Sequence, residues 1–544
     1  MFYKLHYLTL LLIFLSGVKA SATDPGAPKP KLIVGIVVDQ MRYDYLTRYW
    51  HRFGNDGFRK LVNGGFNCSN THHNYIPTYT GPGHASIYTG TTPAVHGIIG
   101  NDWYNRNAKR RMYVTEDTTM TGTGTTAYAG KMSPVNLLTT TFSDELRLAS
   151  NLRSKVIGVA LKDRGSILPA GHSANAAYWL EGSTGNWISS GWYLKALPEW
   201  VNTFNARKLP VEYVKNPWTT LYPIESYTAS TADDTPYEDL FHGETKPVFP
   251  HSFPATNTNM YQMFTASPYG NNITKEFAIT AMKAEELGKD SITDLLAVSF
   301  SSPDFIGHQY GTHAVETEDC YLRLDRDIAE LITAAEEFVG KGNVLFFLTA
   351  DHAAIPNVKF LADQQIPAGI YSGSRANEAL QKHLNETYGI QKWVLSFYND
   401  QIHLDHDLLR KNKIDADVMT EEIRRFFMQY KDIANVLTGK ELSVNEYTWG
   451  IRSYVQKGFS AKRSGDVVLI LEPGLVEYKS KGTDHGAGYT YDTHVPLLFY
   501  GWNISPGSTS RHINITDIAP TITQMLGIQA PSGCTGTVIS ELLK

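Results

Sequence analysis

The chain has 544 residues, 42% of them hydrophobic, with 49 Lys and Arg against 54 Asp and Glu for a formal net charge of -5. That is enough apolar material for a large core, and length alone would admit two to four domains of ordinary size. The mildly acidic balance, without a sustained basic tract, argues against a nucleic-acid partner and for a small substrate.

Met1 to His6, the apolar run Tyr7 to Leu15 and then Ser16-Gly17-Val18-Lys19-Ala20 have the three parts of a secretory signal peptide. Small residues at Val18 and Ala20 suit cleavage after Ala20, whereas a membrane anchor needs a longer run. No later run is long enough to span a bilayer, so the mature chain is expected to carry no membrane span and to be periplasmic or secreted. Cys68, Cys320 and Cys534 are the only cysteines, which allows one disulfide at most and no paired thiolate motif for zinc.

After a short tether, Ser21 to Pro30, the unbroken apolar run Leu32 to Val38 predicts a strand buried on both faces. It ends at Asp39, where open α/β sheets place their ligands, although a helix or turn cap would also claim such an aspartate. A helix is expected over Arg42 to Asn63. The stretch Tyr75 to Ser86 then sets one hydroxyl, Thr80, where apolar loop becomes helix. Gly81 and Gly83 would let backbone approach a ligand, Pro82 suits a first helical position, and His84 to Thr89 read as opening turns. A helix start offers unpaired N–H groups and the positive end of the dipole, so an anion would be held beside Thr80. Alone, Thr80 is a turn or cap residue, because a threonine needs a base or a metal to act as nucleophile. Asn101, in the loop Gly97 to Tyr104, could donate an amide N–H to an oxyanion or be an ordinary turn residue.

A second buried strand, Lys155 to Leu161, runs into Lys162-Asp163-Arg164-Gly165. Residues two apart on an extended segment point the same way, so Lys162 and Arg164 would present two cations to one place, unless they are merely a solvated pair. From about Ser166 to Thr274 the alternation of strand and helix is lost, and an insertion forming part of a pocket wall is expected. Order returns with a helix, Lys275 to Leu287, and a strand, Leu295 to Phe300. Asp304 and His308 follow, four apart and so on one side of a helical turn, a spacing suited to sharing a metal.

The strand Val344 to Thr349 ends in Ala350-Asp351-His352. A second insertion, Pro367 to Glu477, holds an amphipathic helix, Ala416 to Tyr430, and a strand, Val467 to Leu471. His485 sits among glycines in Gly482 to Gly488, and the chain closes with a strand, Val495 to Tyr500, and a helix, Ile518 to Leu526. Apolar strands separated by helices predict an α/β fold: a mainly parallel central sheet with helices on both faces. It forms one catalytic domain over 21–544, with insertions at about 166–274 and 367–477.

Collected at strand ends are three carboxylates, Asp39, Asp304 and Asp351, and three imidazoles, His308, His352 and His485, with Thr80, Asn101, Lys162 and Arg164 beside them. One such histidine is ordinary; six ligand-type residues, nearly all at predicted strand ends, are not. Through Val37 to Arg42, Tyr75 to Ser86, Gly100 to Trp103, Lys162 to Arg164, Ser302 to His308, Thr349 to His352 and Thr483 to Gly486, the whole mature chain resembles the alkaline phosphatase superfamily. It is most similar to the secreted bacterial phosphatases of the phosphate-irrepressible type, which use a threonine nucleophile.

That resemblance implies two Zn²⁺ per chain, one held by Asp304, His308 and His485, the other by Asp39, Asp351, His352 and the Thr80 oxygen. It implies hydrolysis of small phosphate monoesters through a phosphothreonine, most effective at alkaline pH. Asn101 and the N–H of Thr80 or Gly81 would bind one phosphoryl oxygen, Lys162 and Arg164 another, and the protein is expected to be a monomer. Oxygen and imidazole ligands without thiolates agree with catalytic zinc on ligand chemistry alone. A phosphodiesterase of the same superfamily, or a non-catalytic phosphate or metal receptor, is the alternative. A sulfatase would need Cys or Ser where Thr80 stands, and a metal-dependent phosphoglycerate mutase would be cytosolic.

Overall fold

The computed structural model describes residues 29–253, 259–477 and 479–543, so the expected signal segment lies outside the described residues. Five parallel strands form the centre of the main sheet: β1 (Leu32–Val38), β2 (Val156–Ala160), β3 (Ala176–Leu180), β4 (Asp294–Phe300) and β5 (Val344–Thr349), in spatial order β5-β1-β4-β2-β3. Every residue of β1 is buried, as its unbroken Val and Ile run requires. The mixed flanks complete a ten-stranded sheet. Leu497–Gly501 pairs antiparallel with β5, and Trp187–Ser190 antiparallel with β3, so the sheet is parallel in its core and mixed at its edges. Helices surround it, including α1 (Thr80–Thr89), α2 (Asp163–Ala170), α3 (Ser302–Tyr310) and α4 (Val315–Val339).

Two local expectations change. The helix foreseen over Arg42 to Asn63 is broken into Asp44–Arg48, a 3₁₀ turn Trp50–Arg52, and Phe58–Gly64. Asp325 of α4 causes the break: its carboxylate accepts from Gly54 N–H and Phe58 N–H, both at 2.7 Å, and so caps the last piece from across the core. The stretch from Ser166 also keeps its order further than expected, because α2, β3 and Trp187–Ser190 all belong to the central framework. Trp187 is fully buried and stacked on Phe277 with 4.1 Å between ring centroids, so it is part of the core.

Between 373 and 471 a separate four-stranded antiparallel sheet forms from Val394–Tyr398, Gln401–Leu404, Val467–Leu471 and Ile433–Thr438, in the order 394, 401, 467, 433. The helices Gly373–Tyr388 and Ala416–Phe427 pack on it around Leu380, Trp393, Ile423 and Phe427. Its first hairpin turns at Asn399-Asp400, both left-handed with φ of 52° and 55°, the pattern of a two-residue turn. Cys68, Cys320 and Cys534 are all unpaired thiols. Among the described residues no helix is long and apolar enough to cross a membrane.

Several buried imidazoles lie outside the expected ligand set. Burial lowers His73 and His403 to about 4 against an ordinary 6.5, and both are 2% exposed or less. With folded values below unfolded ones, their contribution is complete above about pH 6.5 and is lost as pH falls toward 4, where each costs on the order of 2–3 kcal/mol. The urea midpoint is therefore expected to fall steeply across that window; a flat profile would mean that these rings are not held neutral.

Candidate active site

The expected residues converge at the C-terminal edge of the parallel strands. Asp39 follows β1, Lys162 follows β2, Asp304 lies in the first turn of α3 after β4, and Asp351 with His352 follows β5. This is where a doubly wound sheet leaves a crevice. His485 arrives from the 482–488 loop: its ring stacks on His352 with centroids 3.6 Å apart and has its Nε2 3.6 Å from Asp304 Oδ1.

Thr80 is the first residue of α1 and is 1% exposed. The preceding Tyr79 is extended, with φ -116° and ψ 162°, and makes no side-chain cap, so the turn is held by its surroundings. Gly83 explains how: a Cβ there would lie 2.1 Å from Asp351 O, so only glycine lets the first turn of α1 rest on the Asp351 backbone. Its role is helix-to-strand packing rather than the ligand approach expected. On the other side, Thr78 O accepts from His485 Nδ1 at 2.7 Å and Tyr79 stands edge-on to the His485 ring. Thr80 is thus bracketed by Asp351 and His485.

The three imidazoles share one tautomer. His308 Nδ1 donates to Thr483 O at 2.8 Å, His352 Nδ1 to Ala353 O at 3.0 Å, and His485 Nδ1 to Thr78 O. Each Nδ1 therefore carries the proton and each Nε2 presents a lone pair. Burial keeps His352 well below the ordinary imidazole range and His485 at about 4, so both are neutral near pH 7. Yet those lone pairs face carboxylates: His308 Nε2 is 3.2 Å from Asp304 Oδ1, and His352 Nε2 is 3.5 Å from Asp39 Oδ1 and 3.7 Å from Asp351 Oδ2. Asp39 Oδ1, Asp351 Oδ2 and His352 Nε2 are buried without a hydrogen-bond partner. Lone pairs of buried donors aimed at one another are tolerable only around a cation. Asp39-Asp351-His352, Asp304-His352-His485 and His308-Asp484-His485 each bring their ligand atoms within 4.8 Å of one another. The donor set fits divalent metal.

Lys162 supplies the positive charge that the structure itself carries. Its Nζ lies 2.6 Å from both Asp39 Oδ2 and Asp304 Oδ2. Burial opposes the charged ammonium, but Asp304 and Asp39 outweigh burial and raise it above the ordinary lysine range. Asp39 is pushed well above the usual carboxylate range by burial and Asp351, whereas at Asp304 the Lys162 ammonium works against burial and the carboxyl is held well below. Arg164 departs from the extended geometry expected: it sits in the first turn of α2, where Nη1 donates to Tyr113 OH at 2.9 Å. Tyr113 OH donates in turn to Asp163 Oδ1 at 2.8 Å, which steadies the guanidinium, and Lys162 still feels the Arg164 charge.

Asn101 Oδ1 accepts from Gly81 N–H at 2.8 Å. That donor is therefore taken, which leaves the Thr80 N–H of the two expected donors, and the bond turns the NH₂ edge of the amide away from Gly81. The segment is clamped by the distant hairpin: Asn399 Nδ2 donates to Asp102 O at 3.0 Å and Tyr398 OH to Asp102 Oδ2 at 3.2 Å.

Three site residues escaped sequence reasoning. Gln40, left-handed with φ 67°, donates Nε2 to Asp304 Oδ1 at 2.6 Å and its backbone N–H to Asp351 Oδ1 at 3.2 Å. His84 donates Nδ1 to Thr80 O at 2.9 Å and lies 3.3 Å from Asp351 Oδ2. Asp484 joins the His308 and His485 group while accepting from His485 N–H at 3.0 Å. Gln40 and Asp484 lay inside the Asp39 and His485 motifs, and their adjacency was the available signal.

Buried acids and imidazoles at the mouth of a parallel sheet, around one helix-start hydroxyl, define a metallohydrolase acting on phosphate esters as a class. The family model for type I phosphodiesterase / nucleotide pyrophosphatase matches residues 33–495. The chain belongs to that family and, within it, to the PafA-like alkaline phosphatases. It is 44% identical to Alkaline phosphatase PhoV of Synechococcus elongatus, covering 95% of this chain and 93% of that one. It is equally 44% identical to a Myroides odoratus protein named Calcium-transporting ATPase, covering 95% of each. Alkaline phosphatase PafA of Elizabethkingia meningoseptica is 40% identical over 98% of both chains. The crystal structure of PafA superposes with a TM-score of 0.91, covering 95% of this chain and 100% of that one.

Proposed function

We propose that the protein is an exported, zinc-dependent alkaline phosphatase that hydrolyses phosphate monoesters through a phosphothreonine at Thr80. The observation that carries this reading is the common anchoring of His308, His352 and His485 through Nδ1, which turns three Nε2 lone pairs toward Asp39, Asp304 and Asp351 beside Thr80. In this reading two Zn²⁺ are held, one by Asp304, His308 and His485, the other by Asp39, Asp351, His352 and the Thr80 oxygen. When bound, such ions lower the pKa of a coordinated hydroxyl and offset charge on the entering and leaving oxygens.

The chain's own groups do the rest. Thr80 Oγ1 attacks phosphorus, the Thr80 O–P bond forms, and the ester P–O bond breaks to release the alcohol. Water then cleaves the Thr80 O–P bond and frees inorganic phosphate, restoring the hydroxyl. Asn101, oriented by Gly81 N–H, directs its NH₂ edge to one phosphoryl oxygen. Lys162 and Arg164 place two positive charges beside a dianionic monoester, which a diester with its second ester group and lower charge uses less well. Signal cleavage after Ala20 would deliver the protein to the periplasm.

The family's phosphodiesterase name favours the second reading, hydrolysis of diesters. Turnover of an aryl phosphate, an aryl phosphodiester and an aryl sulfate by the native protein and by the Lys162→Ala, Arg164→Ala double variant separates the two. The monoester is expected to be the best native substrate, and the double change to cut its kcat/KM by roughly 10²- to 10⁴-fold while touching the diester much less. A diester preference in the native protein, or unchanged monoester rates in the variant, would refute the assignment.

A further inference from the structure

The helix α3 has a second side. Asp304 and His308 face the reaction centre, while Phe305, His308 and Gln309 line a cavity of about 580 Å³ that opens between α3, the helix Met260–Thr265 and the 479–481 strand-side loop. That volume is within the usual range for a small-molecule site. We propose that this cavity is the leaving-group pocket of the site, and that it selects monoesters whose alcohol carries an apolar body with a second negative charge. The proposal rests on the phosphatase reading above.

Position is the first argument. The turn bearing Thr80 rests on the Asp351 backbone, on the Asp39-Asp351-His352 side of the site. An in-line displacement sends the leaving oxygen away from its nucleophile, and His308, which belongs to the ligand group that does not contain Asp351, also lines the cavity. Phe305 joins the two spaces: Lys162 Nζ lies 4.9 Å from its ring centroid, and the same side chain forms cavity wall. A group bonded to the departing oxygen meets Phe305 first.

Composition is the second. Phe241, Met263 and Ala266 are the apolar residues that line the cavity with Phe305. Lys479 and Lys481 stand on the rim against a single lining carboxylate, Asp239. Lys479 Nζ is 3.1 Å from His308 Nδ1, whose proton goes to Thr483 O, so the ammonium makes no hydrogen bond there and stands at the end nearest the chemistry. Asp239 is 4.0 Å from Lys481 Nζ and is already engaged by Leu240 N–H at 3.0 Å, so it does not cancel both ammonium groups. A leaving group with an aromatic or aliphatic body and a terminal carboxylate or phosphate matches this distribution; a cationic one does not.

The test compares kcat/KM for 3-carboxyphenyl phosphate and phenyl phosphate at low ionic strength. The carboxylated substrate is expected to be favoured by roughly three- to tenfold, with the preference shrinking as salt is raised. Lys481→Glu should bring the ratio below one and Lys481→Arg should restore it. A native ratio of one, or a ratio that survives Lys481→Glu, overturns the pocket while leaving the phosphatase reading standing. Absence of turnover on either substrate overturns both.

Discussion

Thr80→Ala is expected to lower kcat for aryl phosphates by on the order of 10³- to 10⁶-fold while leaving fold and metal content intact. The structure says why the loss would be chemical. Thr80 begins α1, but no side-chain hydrogen bond caps that helix, so removing the hydroxyl takes away no cap. Alanine is also the better helix former, and the turn is secured by Gly83 against Asp351 and by Thr78 O on His485 rather than by Thr80 Oγ1. Stability should therefore change by no more than about 1 kcal/mol. Thr80→Ser keeps an oxygen at the same position and should retain a large share of the rate. Acid quenching during turnover of a phosphorus-labelled substrate should leave label on the native chain and on Thr80→Ser, and none on Thr80→Ala. If Thr80→Ala keeps its rate within tenfold, direct attack by water replaces the covalent route.

Much of this arrangement is readable in the chain because it is written locally. β1 could be placed within a residue because all seven of its residues are buried, which forces an unbroken apolar run. Val467–Leu471 and Ile518–Leu526 fall on their expected limits for similar reasons. Asp39, Asp304, Asp351 and His352 were visible because each stands directly after such a run or in a short turn beyond it, His308 through its spacing of four from Asp304, and His485 through the glycines around it. What was not readable depends on partners far along the sequence. Asp325 breaks the Arg42 to Asn63 helix from 267 and 271 residues away, and Gln40 finds Asp304 and Asp351 at separations of 264 and 311. No local pattern specifies that Leu497–Gly501 runs antiparallel to β5, since apolar runs carry no direction. The clamp of Asn399 and Tyr398 on Asp102 belongs to the same group, because it joins the separate small sheet to the loop of Asn101 across nearly 300 residues.

Lys162 leads to the second large effect, which concerns metal. Its ammonium bridges Asp39 and Asp304 and is the cation that the protein itself offers to three interior carboxylates. Chelation is expected to abolish turnover and lower the thermal midpoint by several degrees, with Zn²⁺ restoring both; a ligand at a thousandfold excess over its Kd stabilises by about 4 kcal/mol. Elemental analysis should find two zinc ions in the native chain and about one after His485→Ala. Lys162→Ala then discriminates between the two states. In the stripped protein it removes the charge that Asp39 and Asp304 share, and leaving buried carboxylates uncompensated costs about 3–5 kcal/mol. In the loaded protein bound ions would carry that compensation and leave Lys162 to meet a phosphoryl oxygen, so the same substitution should cost little stability while still slowing monoester turnover. A destabilisation equal in both states would mean that Lys162 is a structural ion pair whatever occupies the site, and its assignment to substrate would fail.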